Sequence, residues 1–308
     1  AQAEAGRPEG KRFETSLSAV RRAVESGKLI IPLSLLHVIE TAISGRADRR
    51  KNLMDFMLTM SAGKWLSHYK KIRPIEIENA IRSWYGVEER IPIRPSIVGD
   101  RAGVATGVAA DTLALPAESY RLVESIVRSA AVFQMVFMTV TDDREAIKNA
   151  VAQEVSGADQ LQQIRQHAEA NLNDRQKEVL NYAGMFQDTA VTDELVAALL
   201  KVGIPLERWV NDIASKPDEL IRFSEDIPFI DVFVRLNLLH SRNKSRTYGK
   251  NDVRDLAWLA MALPYSNVIA GETYWTTLAN SLGQKYSTAL INKPEELPQE
   301  LETLGIDV

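Results

Sequence analysis

The run from Asn251 to Glu272 constrains the fold more than any other stretch of the chain. At about 100° per residue, Val253, Leu256, Ala257, Ala260 and Leu263 share one face, which predicts an amphipathic helix over 252–263. Pro264 stops it. Asn267-Val268-Ile269-Ala270 then reads as a short strand, and Gly271 permits a tight turn before a helix over 273–282. A further strand is expected over 286–291 and a terminal helix over 295–304. The start of the chain has the same texture. Phe13 to Gly27 shows helical spacing. Leu29-Ile30-Ile31-Pro32-Leu33-Ser34 is short and nearly all apolar, as a buried parallel strand would be, and 35–43 returns to helical spacing. Alternating helix and buried strand is the pattern of an α/β fold.

The texture changes near residue 86. Ile91-Pro92-Ile93-Arg94-Pro95 excludes regular helix. The stretch 96–115 is rich in Gly, Ala and Val and reads as a long loop or lid. A buried helix is expected over 117–139, a helix start with an acidic first turn at Thr141-Asp142-Asp143-Arg144-Glu145, and charged helices to about residue 240. The predicted architecture is therefore α/β, a parallel sheet flanked by helices, split between 1–85 and 241–308. A large, mostly α-helical insertion occupies 86–240 and is expected to supply no catalytic group.

Composition narrows the chemistry. The chain has 308 residues, 45% of them hydrophobic, and no cysteine. A disordered chain is excluded, as are a disulfide scaffold, a zinc–thiolate site and a thiol nucleophile. Absence of cysteine suits a cytoplasmic setting. The net charge of −4 makes any nucleic-acid site a local feature. The longest apolar run, Ala130 to Val140, is about half the roughly 20 residues a spanning helix needs, so no membrane segment is expected. His37, His68, His167 and His240 lack metal-ligand spacing and read as packing, surface or interface groups. The five tryptophans read as core or interface. No nucleophile elbow or phosphate-binding glycine loop is present.

Carboxylates carry the remaining signal. Asp252 and Asp255 lie one turn apart on the flank of the predicted helix, in the first turn where the helix dipole favours anions. By itself that is as well explained by capping. Glu272 follows the C-terminal end of a strand, where open α/β sheets place ligands, although it too could cap a helix. Glu40 lies one turn and more into the helix after the strand ending at Ser34, beside Val38 and Ile39. Acids from separate segments gathered at one sheet edge repel one another unless a cation neutralises them. An oxygen-only donor set suits Mg²⁺ or Mn²⁺, and such ions activate water for phosphodiester cleavage.

Three segments together resemble a PIN-like nuclease: Leu33-Ser34-Leu35-Leu36-His37-Val38-Ile39-Glu40, then Asn251-Asp252-Val253-Arg254-Asp255, then Leu263-Pro264-Tyr265-Ser266-Asn267-Val268-Ile269-Ala270-Gly271-Glu272. The likeness spans residues 13–62 and 241–308. It implies a parallel sheet and divalent-metal cleavage of RNA, less often DNA. By position, Glu40 resembles the acid on the helix after the second strand. Asp255 resembles the third acid, with Asp252 its close competitor, and Glu272 stands where most members carry Asp. The family's first strand ends in an Asp that this chain lacks, and the chain opens Ala1-Gln2-Ala3 without Met. The expectation is that an upstream segment supplies that acid; the rival is an incomplete relative.

The basic run Arg242, Lys244, Arg246, Lys250 and Arg254 precedes and enters the acidic helix, so it is a candidate phosphate-backbone contact or else a solvated loop. Arg46, Arg49, Arg50 and Lys51 form a second basic patch, and Tyr248 is a candidate for stacking a base. The resulting expectation is a metal-dependent endoribonuclease with Glu40, Asp252, Asp255 and Glu272 as catalytic and metal-holding groups. The resemblance implies a toxin or phage-defence role, RNA as substrate, and room for a regulatory protein or a second copy as partner. The alternative is a non-catalytic interaction scaffold.

Overall fold

Helical periodicity turns into helices over most of the chain. A computed structural model describes residues 8–306 apart from 44–45, 88, 101–143 and 250. The described α-helices of seven residues or more are α1 (Glu14–Glu25), α2 (Leu35–Ile43), α3 (Ala47–Ser61), α4 (Tyr69–Trp84), α5 (Arg144–Asn171), α6 (Asp174–Met185), α7 (Thr189–Val202), α8 (Pro217–Glu225), α9 (Pro228–Arg242), α10 (Asp252–Ala262), α11 (Thr273–Tyr286) and α12 (Leu297–Thr303). Single turns of helix also form at Arg94–Ile97, where the prolines predict none, and at Leu206–Trp209. Their ends follow local chemistry. Asn173 and Gln176 form a reciprocal capping box at the start of α6. The Asp188 carboxylate accepts from Ala190 N and Val191 N at the start of α7, and Gly203, at φ 76°, takes the left-handed position that ends it.

The expected α/β sheet is not what forms. Among the described residues there are two two-stranded sheets: β1 (Trp65–Leu66) antiparallel to β2 (Val98–Gly99), and β3 (Val268–Ala270) parallel to β4 (Ala289–Ile291). The architecture is therefore mostly helical, and the α/β class is corrected. The predicted strand at 29–34 contributes only one parallel bridge, Leu33 to Trp65. Pro32 lacks the N–H a ladder needs, and Ile30 is 55% exposed, whereas a central parallel strand is covered on both faces. The expected strands at 267–270 and 286–291 are present in shortened form, joined by α11 as the crossover that a parallel pair requires. The predicted helix over 117–139 lies outside the described residues, as does most of the 96–115 loop.

One apolar cluster holds most helices together. It joins Ile77 and Ile81 of α4, Leu195 and Leu199 of α7, Phe223 of α8, Ile230 and Val234 of α9, Leu256 and Leu259 of α10, and Trp275 of α11. Segments on both sides of residue 240 thus share a core. No described helix is long and apolar enough to cross a membrane.

Candidate acidic site

Helix α10 begins at Asp252, and the segment 243–249 shortly before it is a loop without helix or strand. Asp252 is buried and both of its oxygens are engaged. Oδ1 accepts from Arg246 Nη2 at 2.9 Å, and Oδ2 accepts from Gly249 N at 2.6 Å. One turn on, Asp255 is half-buried. Its carboxyl is pushed up to about 6, first by burial, then by the negative charges of Glu272, Glu40 and Asp252. That repulsion operates because three elements deliver acids to one place: α2 brings Glu40, α10 brings Asp252 and Asp255, and the turn after β3 brings Glu272.

Glu272 arrives there through backbone geometry. Gly271 N donates to Ile291 O at 3.1 Å, continuing the β3–β4 pairing one residue past the strand. A Cβ on Gly271 would sit 3.1 Å from Thr276 Cγ2, so a small residue suits the turn. Glu272 then occupies the N-cap position of α11 with extended backbone, yet its side chain makes no capping hydrogen bond. The carboxylate is exposed and uncommitted to the helix. Glu40 is exposed too, and its Oε1 lies 3.6 Å from Arg254 Nη1.

The donor set has the oxygen chemistry of a Mg²⁺ or Mn²⁺ site. Among the described residues, however, no three His, Cys, Asp or Glu side chains stand close enough together to hold a metal ion. Asp255, Glu272 and Glu40 match such an ion in donor chemistry alone, and the carboxylates would have to move closer together to ligate it. Asp252 fits less well, because ligation would cost its bonds to Arg246 and Gly249.

The basic residues divide differently from their sequence order. Arg242 and Lys244 are exposed. Arg246 is partly exposed, pairs with Asp252 and lies 3.7 Å over the Tyr274 ring. Arg254, expected to bind substrate, is instead buried and neutralises Glu40. Lys250 lies outside the described residues. In the second patch Arg46 pairs with Asp48, Arg50 is buried, and Arg49 and Lys51 are exposed. Tyr248 is buried and its hydroxyl donates to Asn237 Oδ1, so it offers no face for a base.

Several residues behind the acids were missed or misread from the sequence. His240, expected at a surface or interface, is fully buried. Its Nδ1 lies 2.7 Å from the Tyr274 hydroxyl and its ring stacks on Trp275 with centroids 5.4 Å apart. Burial lowers its pKa from the ordinary histidine value, against the pull of Asp252. The spacing Val232, Leu236, His240 places it on the apolar stripe of α9, which was the available signal. Trp275 Nε1, Trp258 Nε1 and His240 Nε2 are buried without hydrogen-bond partners. The Trp275 indole nevertheless lies near enough to Asp255 to favour its charged form slightly. Arg165 of α5, which no motif marks, grips the 243–249 loop.

Compared with known protein families, with characterised proteins and with solved structures, the chain shows no significant match.

Proposed function

We propose that this chain is a divalent-metal-dependent phosphodiesterase acting on RNA. Asp255, Glu272 and Glu40 would hold Mg²⁺ or Mn²⁺, and the 243–249 loop would meet the phosphate backbone. The observation that carries the reading is Asp255, a half-buried carboxylate raised to about 6 beside Asp252 of its own helix and two acids, Glu40 and Glu272, that reach it from separate elements. Clustered, partly desolvated carboxylates are costly to folding and are characteristic of functional sites. When bound, the ion would activate water and stabilise charge on the phosphate oxygens. Asp252 holds Arg246 next to the acids, while Arg242 and Lys244 leave their cations in solvent. Trp275 lies beside Asp255, and the buried His240 ring stacks on Trp275. A cytoplasmic setting, which the absence of cysteine suits, goes with this reading. The order of the acids supports the nuclease chemistry of the PIN-like resemblance, without its extended sheet.

A second reading, a non-catalytic scaffold, draws on the internal neutralisation of the cluster. Arg246 and Arg254 already pair with Asp252 and Glu40. The two readings separate in one assay. Labelled single-stranded RNA is incubated with the protein and Mg²⁺, Mn²⁺ or EDTA, using wild type and Asp255→Asn. Metal-dependent cleavage that falls at least a hundredfold in Asp255→Asn is expected. Cleavage that persists in EDTA, full activity of the variant, or no cleavage with either metal would remove the metal-nuclease reading and leave the scaffold.

A further inference from the structure

We propose that Arg165 is a positioning residue: it holds the 243–249 loop in the shape that lays Arg246 against the acids, and through that loop it sets affinity for a single-stranded RNA backbone. The RNA half rests on the function proposed above.

Arg165 is buried on α5, far in sequence from the loop it holds. Its Nη1 donates to Arg246 O at 2.6 Å, its Nη2 to Asn243 O at 3.0 Å, and its Nε to Glu169 Oε1 at 2.9 Å. A buried guanidinium is tolerated only when its donors are met, and here two of the three acceptors are loop carbonyls. From the preceding turn of α5, Gln162 Oε1 accepts from Tyr248 N at 3.3 Å. The loop therefore gains from α5 the backbone partners that neither helix nor sheet supplies it.

Arg246 is held at both ends. Its carbonyl is fixed by Arg165, and its guanidinium is fixed by Asp252 and by the Tyr274 ring. The anchor is tied to the site, because α5 packs on α10. A Cβ on Gly157 would lie 3.8 Å from Val253 Cγ2. Lysine cannot replace Arg165, since a single ammonium lacks the planar fork that spans two carbonyls and a carboxylate.

The test uses the full chain in an Asp255→Asn background, so that RNA is bound and not cut. Arg165→Gln, Arg165→Lys, Gln162→Ala and Arg246→Ala are compared by hydrogen exchange of the loop amides and by anisotropy of labelled oligouridylate against salt. Gln162→Ala keeps the buried guanidinium and serves if the Arg165 variants fail to fold. Loop exchange at least tenfold faster in Arg165→Gln, intermediate in Gln162→Ala, is expected. RNA affinity should fall about as far as in Arg246→Ala, and the double variant Arg165→Gln/Arg246→Ala should be scarcely weaker than either single one, because both act on the same contact. Additive losses, or wild-type exchange in the loop, would overturn the positioning role. RNA binding lost with wild-type loop exchange would overturn it as well. If the parent binds no RNA at any salt, the functional reading and the RNA half of this proposal fall together, and the exchange data alone decide the positioning half.

Discussion

Glu76 shows how one buried carboxyl makes stability depend on pH. It lies on α4, almost wholly buried, and accepts from the Tyr265 hydroxyl and from Phe229 N at 2.9 Å. Phe229 N belongs to the first turn of α9, so Glu76 satisfies an orphan donor at that helix start. Burial pushes its carboxyl up to about 7, against the pull of the Tyr265 and Phe229 hydrogen bonds and of Arg73. The folded chain therefore holds this proton more tightly than the unfolded chain. The associated stability is complete below the unfolded carboxyl range of about 4.3 and is lost as pH rises towards 7. Glu76→Gln loses the titration; its single amide oxygen can still accept from Phe229 N, while its NH2 must donate to the Tyr265 oxygen, so that bond reverses. Urea unfolding at pH 5, 6, 7 and 8 should show wild type losing stability relative to Glu76→Gln across the lower half of that range. A constant difference between the two would show that Glu76 does not titrate there. At residue scale the sequence was a poor guide. Glu76, His240 and Arg165 are polar letters on helices, and only the neighbours that enclose them give them roles.

Elements were more legible, because helix periodicity and caps are local properties. Expected helices at 13–27, 35–43, 252–263 and 273–282 correspond closely to α1, α2, α10 and the body of α11. The strand at 29–34 failed for a non-local reason. Its apolar residues were recruited one by one, Leu33 beside Met54 and Trp65, Leu29 and Ile31 beside Val20 and Leu301. The β3–α11–β4 unit also contains a close contact invisible in the pattern. A Cβ on Gly283 would fall 2.7 Å from Thr288 O and 2.9 Å from Leu290 Cδ1. Gly283→Ala should therefore destabilise by about 1–3 kcal/mol, although alanine in an open helix position would gain about 1 kcal/mol. Chemical denaturation checks the sign. A stabilised variant would mean that α11 stands further from β4 than this packing requires.

At the scale of the whole molecule, the acid cluster is an electrostatic load that the surrounding helices carry. α2, α10 and the β3–α11 turn bring Glu40, Asp255 and Glu272 together, and the fold holds them there against their repulsion. In metal-free protein Asp255→Asn should melt at the same temperature as wild type or higher, because the amide keeps the shape and removes a charge. A cation that binds only the folded cluster adds about 1.4 kcal/mol at ten times its dissociation constant. Mn²⁺ should therefore raise the melting temperature of wild type and leave that of Asp255→Asn nearly unchanged. Calorimetry with and without EDTA tests this, and equal responses of the two proteins would place the ion elsewhere. The repulsion, and the relief expected from a cation, belong to no single segment.

The sequence by itself determined the helices, their caps, the helix–strand–acid run ending at Glu272, and the absence of thiol chemistry. These follow from periodicity, backbone restriction and residue type, all of which act over a few neighbouring positions. Only the tertiary structure decided that 29–34 is not a sheet strand, since sheet membership depends on partners and on cover for both faces. It also decided which charges remain available. Arg254 and Asp252 look as free in the sequence as Lys244 and Asp255, yet each is buried and paired. Burial and pairing are properties of the packed chain, because a charge becomes costly only when other segments displace its water, and those segments lie far away in the sequence.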